Sequence, residues 1–374
     1  MLGHKRIPSR EGGIEVVVEE LAVRMADKGH QVTCYNRRGH HVAGATYDSG
    51  LSARLLHAGV RVKQVPTIDC KGLAALTSSF FAALSAAFGD YDVVHFHAEG
   101  PCAMMWLPKL MGKHCVATIH GLDWQRAKWK GGFGEKYIML GEKAAVRFAD
   151  EIIVLSEGVQ TYFRDTYGRE TTRIPNGVTK PKPYPAELIR QAYGLEKDSY
   201  LLYLGRLVPE KGAAALINAF RDVRTDKRLV IAGGSSDSDQ FVEELHRLAA
   251  GDSRIIFTGF VQDQLLAELY SNAYLYVLPS DVEGMPLTLL EALSYDCCCV
   301  TSDIAECASV LGGHGMTFPK GDIAALRETL QTLCDDEATV QNCRKGASEF
   351  VCGTYQWDTV VDQTLEIYRA SMKK

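Results

Sequence analysis

Short apolar, β-rich runs alternate with helical patterns along almost the whole chain, and this alternation limits the fold more than any other feature. QVTCYNR (31–37), VRVKQVP (60–66), VVHFHA (93–98), CVATIHG (115–121) and EIIVLS (151–156) read as strands in the first half. YLLYLG (200–205), RLVIAGG (228–234), RIIFTGF (254–260), AYLYVLPS (273–280) and CCCVTSD (297–303) repeat the theme in the second. Strands separated by helices form parallel sheets covered on both faces, so the expected class is α/β with doubly wound, Rossmann-like sheets. At 374 residues the chain exceeds one ordinary core, so two domains are expected. The break between them is IPNGVTKPKPYP (174–185), where Pro175, Pro181, Pro183 and Pro185 make a turn and linker. Two such domains are expected to face a cleft, because open sheets bind ligands beyond the carboxyl ends of their strands.

Charge and cysteine usage narrow the function. The net charge of -5 offers no global basic field, so nucleic acid is not an expected partner. The 11 cysteines include no C-x-x-C pair, and Cys297, Cys298 and Cys299 run together in a strand pattern. They read as small buried hydrophobes in a reducing cytoplasm, not as a disulfide framework or metal site. The longest charge-free stretch, Leu73 to Phe88, carries Thr77, Ser78, Ser79 and Ser85 and reads as a largely buried helix. The start, MLGHKRIPSREGG, lacks the apolar core of a signal peptide.

The first helix is marked by Ile14, Val17, Val18, Leu21, Ala22 and Met25 at helical spacing, opened by Gly12 and Gly13. Free N–H groups at such a start attract phosphate, although a tight turn explains the glycines equally well. No G-x-G-x-x-G occurs, which argues against a nicotinamide dehydrogenase.

Four charged positions carry the chemistry. In GRLVPEKG, Arg206 follows a strand and Lys211 enters a helix, placed to converge on a diphosphate. The bland alternative is a solvated pair of Lys211 with Glu210. In EGMPLTLLE, Glu283 and Glu291 lie eight residues apart around a helix start, with Pro286 at the first helical position and Leu287, Leu290 and Leu293 as the buried stripe. Carboxylates at this spacing accept hydrogen bonds from sugar and ribose hydroxyls. Alone, each is a common exposed or dipole-stabilised helix charge; their occurrence with the basic pair favours a sugar-nucleotide site.

His120 ends the strand CVATIHG and is a candidate contact to a sugar or a leaving phosphate, although a lone histidine is more often structural. His95 and His97 share one face of their strand, and packing is favoured for at least one. Asp237 and Asp239 spell D-x-D in a Ser/Asp-rich loop where a metal role is not expected. Between Trp124 and Phe148, Arg126, Lys128, Lys130, Lys136, Lys143 and Arg147 outnumber Glu135 and Glu142, with aromatics interleaved. Such a segment suits anionic lipid headgroups or a lipid diphosphate acceptor, or is simply an amphipathic helix with a solvated face.

Together these residues resemble glycosyltransferase family 4, whose members have the two-Rossmann-domain GT-B fold. The resemblance spans GGIE (12–15), HGLD (120–123), IPNGV (174–178), GRLVPEKG (205–212), IAGG (231–234), TGFV (258–261) and EGMPLTLLE (283–291), in family order. It implies an acceptor-side domain over 1–180, a donor domain over 181–354, and a final helix, 355–374, that returns to the first domain. Family members usually begin with a β-strand ahead of the GHKRIP-like turn. Here only Met1 and Leu2 precede Gly3, so the first strand is expected to be truncated.

By resemblance, Arg206 and Lys211 hold the donor diphosphate, Glu283 the transferred sugar and Glu291 the ribose. Gly233, Gly284, Met285, Pro286 and Leu287 meet sugar and phosphate, and the backbone near Val261 meets the base. Gly13 closes over the phosphates, and His120 lines the sugar site. Glu15, Asp123, Trp124 and Arg126 are the expected acceptor side. The family retains anomeric configuration and needs no metal or cofactor beyond the nucleotide-sugar co-substrate. The expected activity is hexose transfer, from a UDP-sugar in first place, to a lipid-linked or surface-polysaccharide glycan at the cytoplasmic membrane face. A nucleotide-sugar epimerase, a phosphorylase and a non-catalytic binder share the fold and stay as alternatives.

Overall fold

The structure, a computed structural model, describes residues 1–39, 56–68, 70, 73–126, 129, 131–234 and 239–372. The chain divides into two compact units, Met1–Asn176 with Trp357–Lys374 and Gly177–Gln356.

The first unit holds β1 (Thr33–Arg37), β2 (Leu56–His57), β3 (Val60–Val65), β4 (Val93–His97), β5 (His114–Ile119), β6 (Glu151–Val154) and β7 (Thr172–Arg173). They form two strips, β1-β3-β2 and β4-β5-β6-β7, parallel except for β2. Met1 and Leu2 lie between the strips. Leu2 pairs in parallel with Phe96, and the Tyr35 N–H donates to the Met1 carbonyl at 3.1 Å. Two residues therefore join the strips by backbone hydrogen bonds to β1 and β4, and Leu2 is completely buried there. The helix Trp357–Met372 belongs to this unit, and Tyr368 on it bonds His95 of β4.

The second unit holds β8 (Tyr200–Leu204), β9 (Arg228–Ala232), β10 (Ile255–Gly259), β11 (Leu275–Leu278), β12 (Cys298–Ser302) and β13 (Gly315–Phe318). All pair in parallel, in the order β10-β9-β8-β11-β12-β13. The near-continuous apolar runs of β8, β9 and β11 fit this, because a sheet covered on both faces has no polar side. Chain order reverses between β8 and β11, and such a switch point opens a crevice at the carboxyl edge.

Cys297, Cys298 and Cys299 are buried as small core residues, and the described cysteines form no disulfides. The helix Leu73–Ala87 departs from expectation. Its small residues Ser78, Ser79, Ala82, Ala83, Ala86 and Ala87 make the buried face, while Phe80 and Phe81 are exposed, as is Phe88 just beyond it. Small side chains let this helix approach the core closely and leave the aromatics outside. The D-x-D residue Asp237, the side chain of Asp239, and Lys128 and Lys130 lie outside the described residues.

Candidate active site

In the second unit the loops after β8, β9, β10 and β11 share one edge of the sheet. Their closeness depends on glycine. A Cβ on Gly233 would lie 1.8 Å from the Gly205 carbonyl oxygen, and one on Gly212 would lie 2.0 Å from that of Pro279. Gly212 also has φ +72° and Gly233 φ +146°, which side chains rarely adopt. The Leu207 N–H donates to the Gly234 carbonyl, and the Gly233 N–H to that of Gly259. Arg206 is thereby set beside Gly233, and the turn Pro209–Lys211 is pressed against the end of β11.

That approach lets Lys211 reach Glu283. The Lys211 Nζ to Glu283 Oε1 distance is 2.5 Å, with the side chains 17% and 7% exposed. The solvated Lys211–Glu210 pair does not form. Instead, Glu210 turns inward, its backbone carbonyl accepts from the Asp281 N–H, and both its carboxylate oxygens are buried without a hydrogen-bond donor.

Gly284, Met285 and Pro286 are buried at the start of the helix Leu287–Ser294, with Pro286 as N-cap, one residue ahead of the expected first helical position. The buried stripe is Leu289, Leu290, Ala292 and Leu293; Leu287 is only half-buried, because the helix starts at Leu287 and its first turn faces the loop side. Glu291 lies off that stripe, and its Oε2 accepts the Tyr270 hydroxyl at 3.0 Å. Burial, and then the Glu291 charge, pushes the Tyr270 phenol well up, so it stays a donor. Val261 is buried just beyond β10.

In the first unit, Gly12 is the N-cap of the helix Gly13–Asp27 and carries no side-chain cap. Glu15 in the first turn is buried, and its Oε1 accepts the Lys5 N–H at 2.8 Å. Burial pushes its pKa up, but the Lys5 charge and backbone donors outweigh this and hold it below the usual carboxylate value. His120 leaves β5, and its Nε2 lies 3.1 Å from His97 Nδ1. Burial lowers its pKa to about 4, against the opposing pull of Asp123 and Glu15. His95 is structural, bonded at both nitrogens by Tyr368 and Thr118. Arg126 pairs with Asp123 at 2.9 Å, and the Asp123 N–H donates to Glu99. Trp124 lies tilted against Tyr162, with ring centroids 6.1 Å apart.

A family model described as Glycosyltransferase Family 4 matches residues 11–180, and one described as Glycosyl transferases group 1 matches residues 198–336. The chain belongs to glycosyltransferase family 4. The transferase is 28% identical to a D-inositol 3-phosphate glycosyltransferase of Catenulispora acidiphila, over 97% of this chain and 91% of that one. It is 28% identical to a glycogen synthase of Mycobacterium tuberculosis, over 75% and 69%. The fold is GT-B. Anabaena HepE, solved with UDP and glucose, superposes with a TM-score of 0.80 at 19% identity, covering 99% and 98% of the two chains. Sucrose-phosphate synthase from Thermosynechococcus elongatus gives 0.79 at 23%, covering 96% and 93%.

Within the second unit of the transferase, Arg206, Lys211, Gly233, Val261, Glu283 to Leu287 and Glu291 all lie on loops and a helix start at one sheet edge. In the other unit, Gly13 and Glu15 share a helix start, while His120, Asp123, Trp124 and Arg126 follow β5. Sequence reasoning missed Tyr270, because a tyrosine inside a helical run looks like core packing. It also missed Glu99, which has no motif of its own. Among the described residues, no group of three or more His, Cys, Asp or Glu is arranged to hold a metal.

Proposed function

We propose that this transferase moves a hexose-type sugar from a nucleotide donor, a UDP-sugar in first place, to a hydroxyl acceptor with retention of configuration. The observation that carries this reading is the Lys211–Glu283 pair at the switch point beside Arg206. A diphosphate arriving there draws Lys211 and leaves Glu283 free to accept sugar hydroxyls. Charge then builds on the leaving diphosphate, and Arg206 and Lys211 stabilise it in a site already organised for negative charge. The same leaving oxygen takes the acceptor's proton on the same face. Glu291, held by Tyr270, accepts from the ribose, and the backbone near Val261 from the base. The Gly13 N–H meets phosphate, and His120 orients the sugar. The solved HepE complexes with UDP-glucose support the choice of base.

The acceptor we infer is a lipid-linked or surface glycan, met at the cytoplasmic membrane face by Glu15, Asp123, Trp124 and Arg126. Phe133, Lys136, Leu140, Lys143 and Arg147 form one exposed stripe on the helix Phe133–Phe148, mixing apolar and basic groups as headgroup contacts do. No described helix is long and apolar enough to cross a membrane. An O-antigen chain mannosyltransferase of Escherichia coli is among the relatives, 28% identical over half of each chain.

The test is thermal stabilisation by UDP-, GDP-, ADP- and dTDP-sugars, with Arg206→Ala as control. The UDP series is expected to raise the melting temperature of the wild type and not of the variant. No shift with any series would overturn the donor assignment.

A further inference from the structure

Behind the loop carrying Asp123, Trp124 and Arg126 lie two glutamates that the reaction above leaves unused. Glu99 opens the short helix Glu99–Cys102 after β4, and Glu142 lies within the helix Phe133–Phe148; both are fully buried. The two helices touch so closely that a Cβ on Gly141 would lie 2.0 Å from the Glu99 carbonyl oxygen. The Glu142 carboxyl is near enough to raise the proton affinity of Glu99.

A count of donors shows what this contact needs. Glu99 Oε2 accepts the Asp123 N–H at 2.7 Å. Glu142 Oε1 accepts the Tyr162 hydroxyl at 2.9 Å and the Tyr167 hydroxyl as well. Glu99 Oε1 and Glu142 Oε2 remain, each buried with no donor. Two ionised carboxylates in contact would leave both oxygens unsatisfied and both charges desolvated. A single proton between them satisfies both.

The surroundings agree. Burial, then the Asp123 charge, then Glu142 push the Glu99 carboxyl well above the usual range, and only the Asp123 N–H opposes them. The ionisable groups facing the pair are Asp123 from the loop, Tyr162 and Tyr167 from the helix Glu157–Tyr167, and Cys102 from the Glu99 helix. None of these is a cation. A neutral Glu99 carbonyl accepts the Asp123 N–H without adding a second charge beside the Asp123–Arg126 pair.

We propose that Glu99 is a positioning residue of the transferase: a buried carboxylic acid, donating its proton to Glu142, that fixes the Asp123–Arg126 loop on the acceptor side. The loop is tied to the pair twice, through the Asp123 N–H and through Trp124 against Tyr162, whose hydroxyl binds Glu142. The acceptor role rests on the function proposed above; the shared proton does not.

Glutamine reproduces the acid, with an oxygen that accepts and an N–H that donates, and alanine does not. The first readout is isotope-edited infrared spectroscopy at neutral pH. A carboxylic acid C=O stretch is expected in the wild type, absent from Glu99→Gln, and shifted in Glu142→Gln, where Glu99 loses its carboxylate acceptor. Its absence from the wild type overturns the shared proton. The second is amide hydrogen exchange over residues 121–126. Glu99→Ala is expected to exchange about tenfold faster, as loss of one buried hydrogen bond implies, and Glu99→Gln to match the wild type. Equal exchange in all three overturns the positioning role. Should Glu99→Ala fail to fold, the wild type at rising pH replaces it: protection is expected to fall as the shared proton leaves, and to persist in Glu99→Gln. The third is transfer from UDP-glucose to octyl glucoside. An acceptor KM raised several-fold in Glu99→Ala with an unchanged donor KM, rescued in Glu99→Gln, supports the role; an unchanged acceptor KM overturns it. If the wild type transfers nothing, that counts against the proposed function, and the infrared and exchange results still decide the shared proton and the anchored loop.

Discussion

Lys211 has two claims on its charge. In the free protein it neutralises Glu283 at 2.5 Å in a largely buried pair, and with donor bound it is proposed to serve the diphosphate. Lys211→Ala therefore removes an electrostatic stabiliser and leaves a carboxylate short of a partner. Turnover is expected to fall by about 10²–10³-fold. Stability is expected to fall by no more than about 3 kcal/mol, since the pair keeps some solvent access. UDP release and urea denaturation check the two halves, and near-normal turnover would remove Lys211 from the mechanism. Tyr270 acts more gently, by aiming Glu291. Tyr270→Phe deletes one hydrogen bond worth about 1 kcal/mol, so donor affinity is expected to drop about fivefold with kcat unchanged. Titration with the donor checks it; an unchanged Kd would make the contact incidental. The charged groups were legible because spacing around a strand end and a helix start fixes where they point. Tyr270 was not, because its partner is 21 positions away and only the fold brings the two together. The inward turn of Glu210 was not legible, because nothing local says that the Pro209 turn faces inward.

At the scale of elements, the sheet edge that carries Lys211 and Glu283 is built by backbone packed on backbone. Gly212 holds a left-handed conformation with the Pro279 carbonyl where its Cβ would be. Gly212→Ala must move the Pro209–Lys211 turn away from β11 and so separate Lys211 from Glu283. A loss of at least about 1–3 kcal/mol is expected, from strain alone. Donor binding is expected to weaken in parallel, and a variant as stable as wild type with normal binding would contradict the close approach. The ten runs mark ten of the strands, because most buried parallel strands are apolar on both faces, while β3 shows instead the alternation of a half-buried strand. The strands missed are β2, β7 and β13. β2 and β7 are two-residue pieces, and β13 is a four-residue edge strand opened by glycine, so none carries a periodic signal. The Met1–Leu2 bridge was equally silent, since two residues have no pattern.

For the whole molecule, acid should act on one unit first. His4, His95, His97 and His120 all belong to the unit Met1–Asn176 with Trp357–Lys374. Burial lowers all four, His4 and His120 to about 4 and His95 and His97 well below the ordinary value. An unfolded histidine takes its proton near 6.5, so below that pH the unfolded chain binds more protons than the folded one. Stability is then complete above about pH 6.5 and is lost as pH falls toward 4, by about 1.4 kcal/mol per pH unit for each group that stays neutral. Glu99 opposes this. Its raised folded pKa makes the folded state the better proton binder above the ordinary carboxylate range, so its contribution grows as pH falls. One opposing group against four leaves a net acid loss. All four tryptophans, Trp106, Trp124, Trp129 and Trp357, also lie in this unit, so fluorescence reports it selectively while far-UV circular dichroism follows both. Between pH 7 and pH 5 the urea midpoint by fluorescence is expected to drop well ahead of the later circular-dichroism transition. Midpoints that move together would mean that the two units unfold as one, or that the buried histidines are not kept neutral.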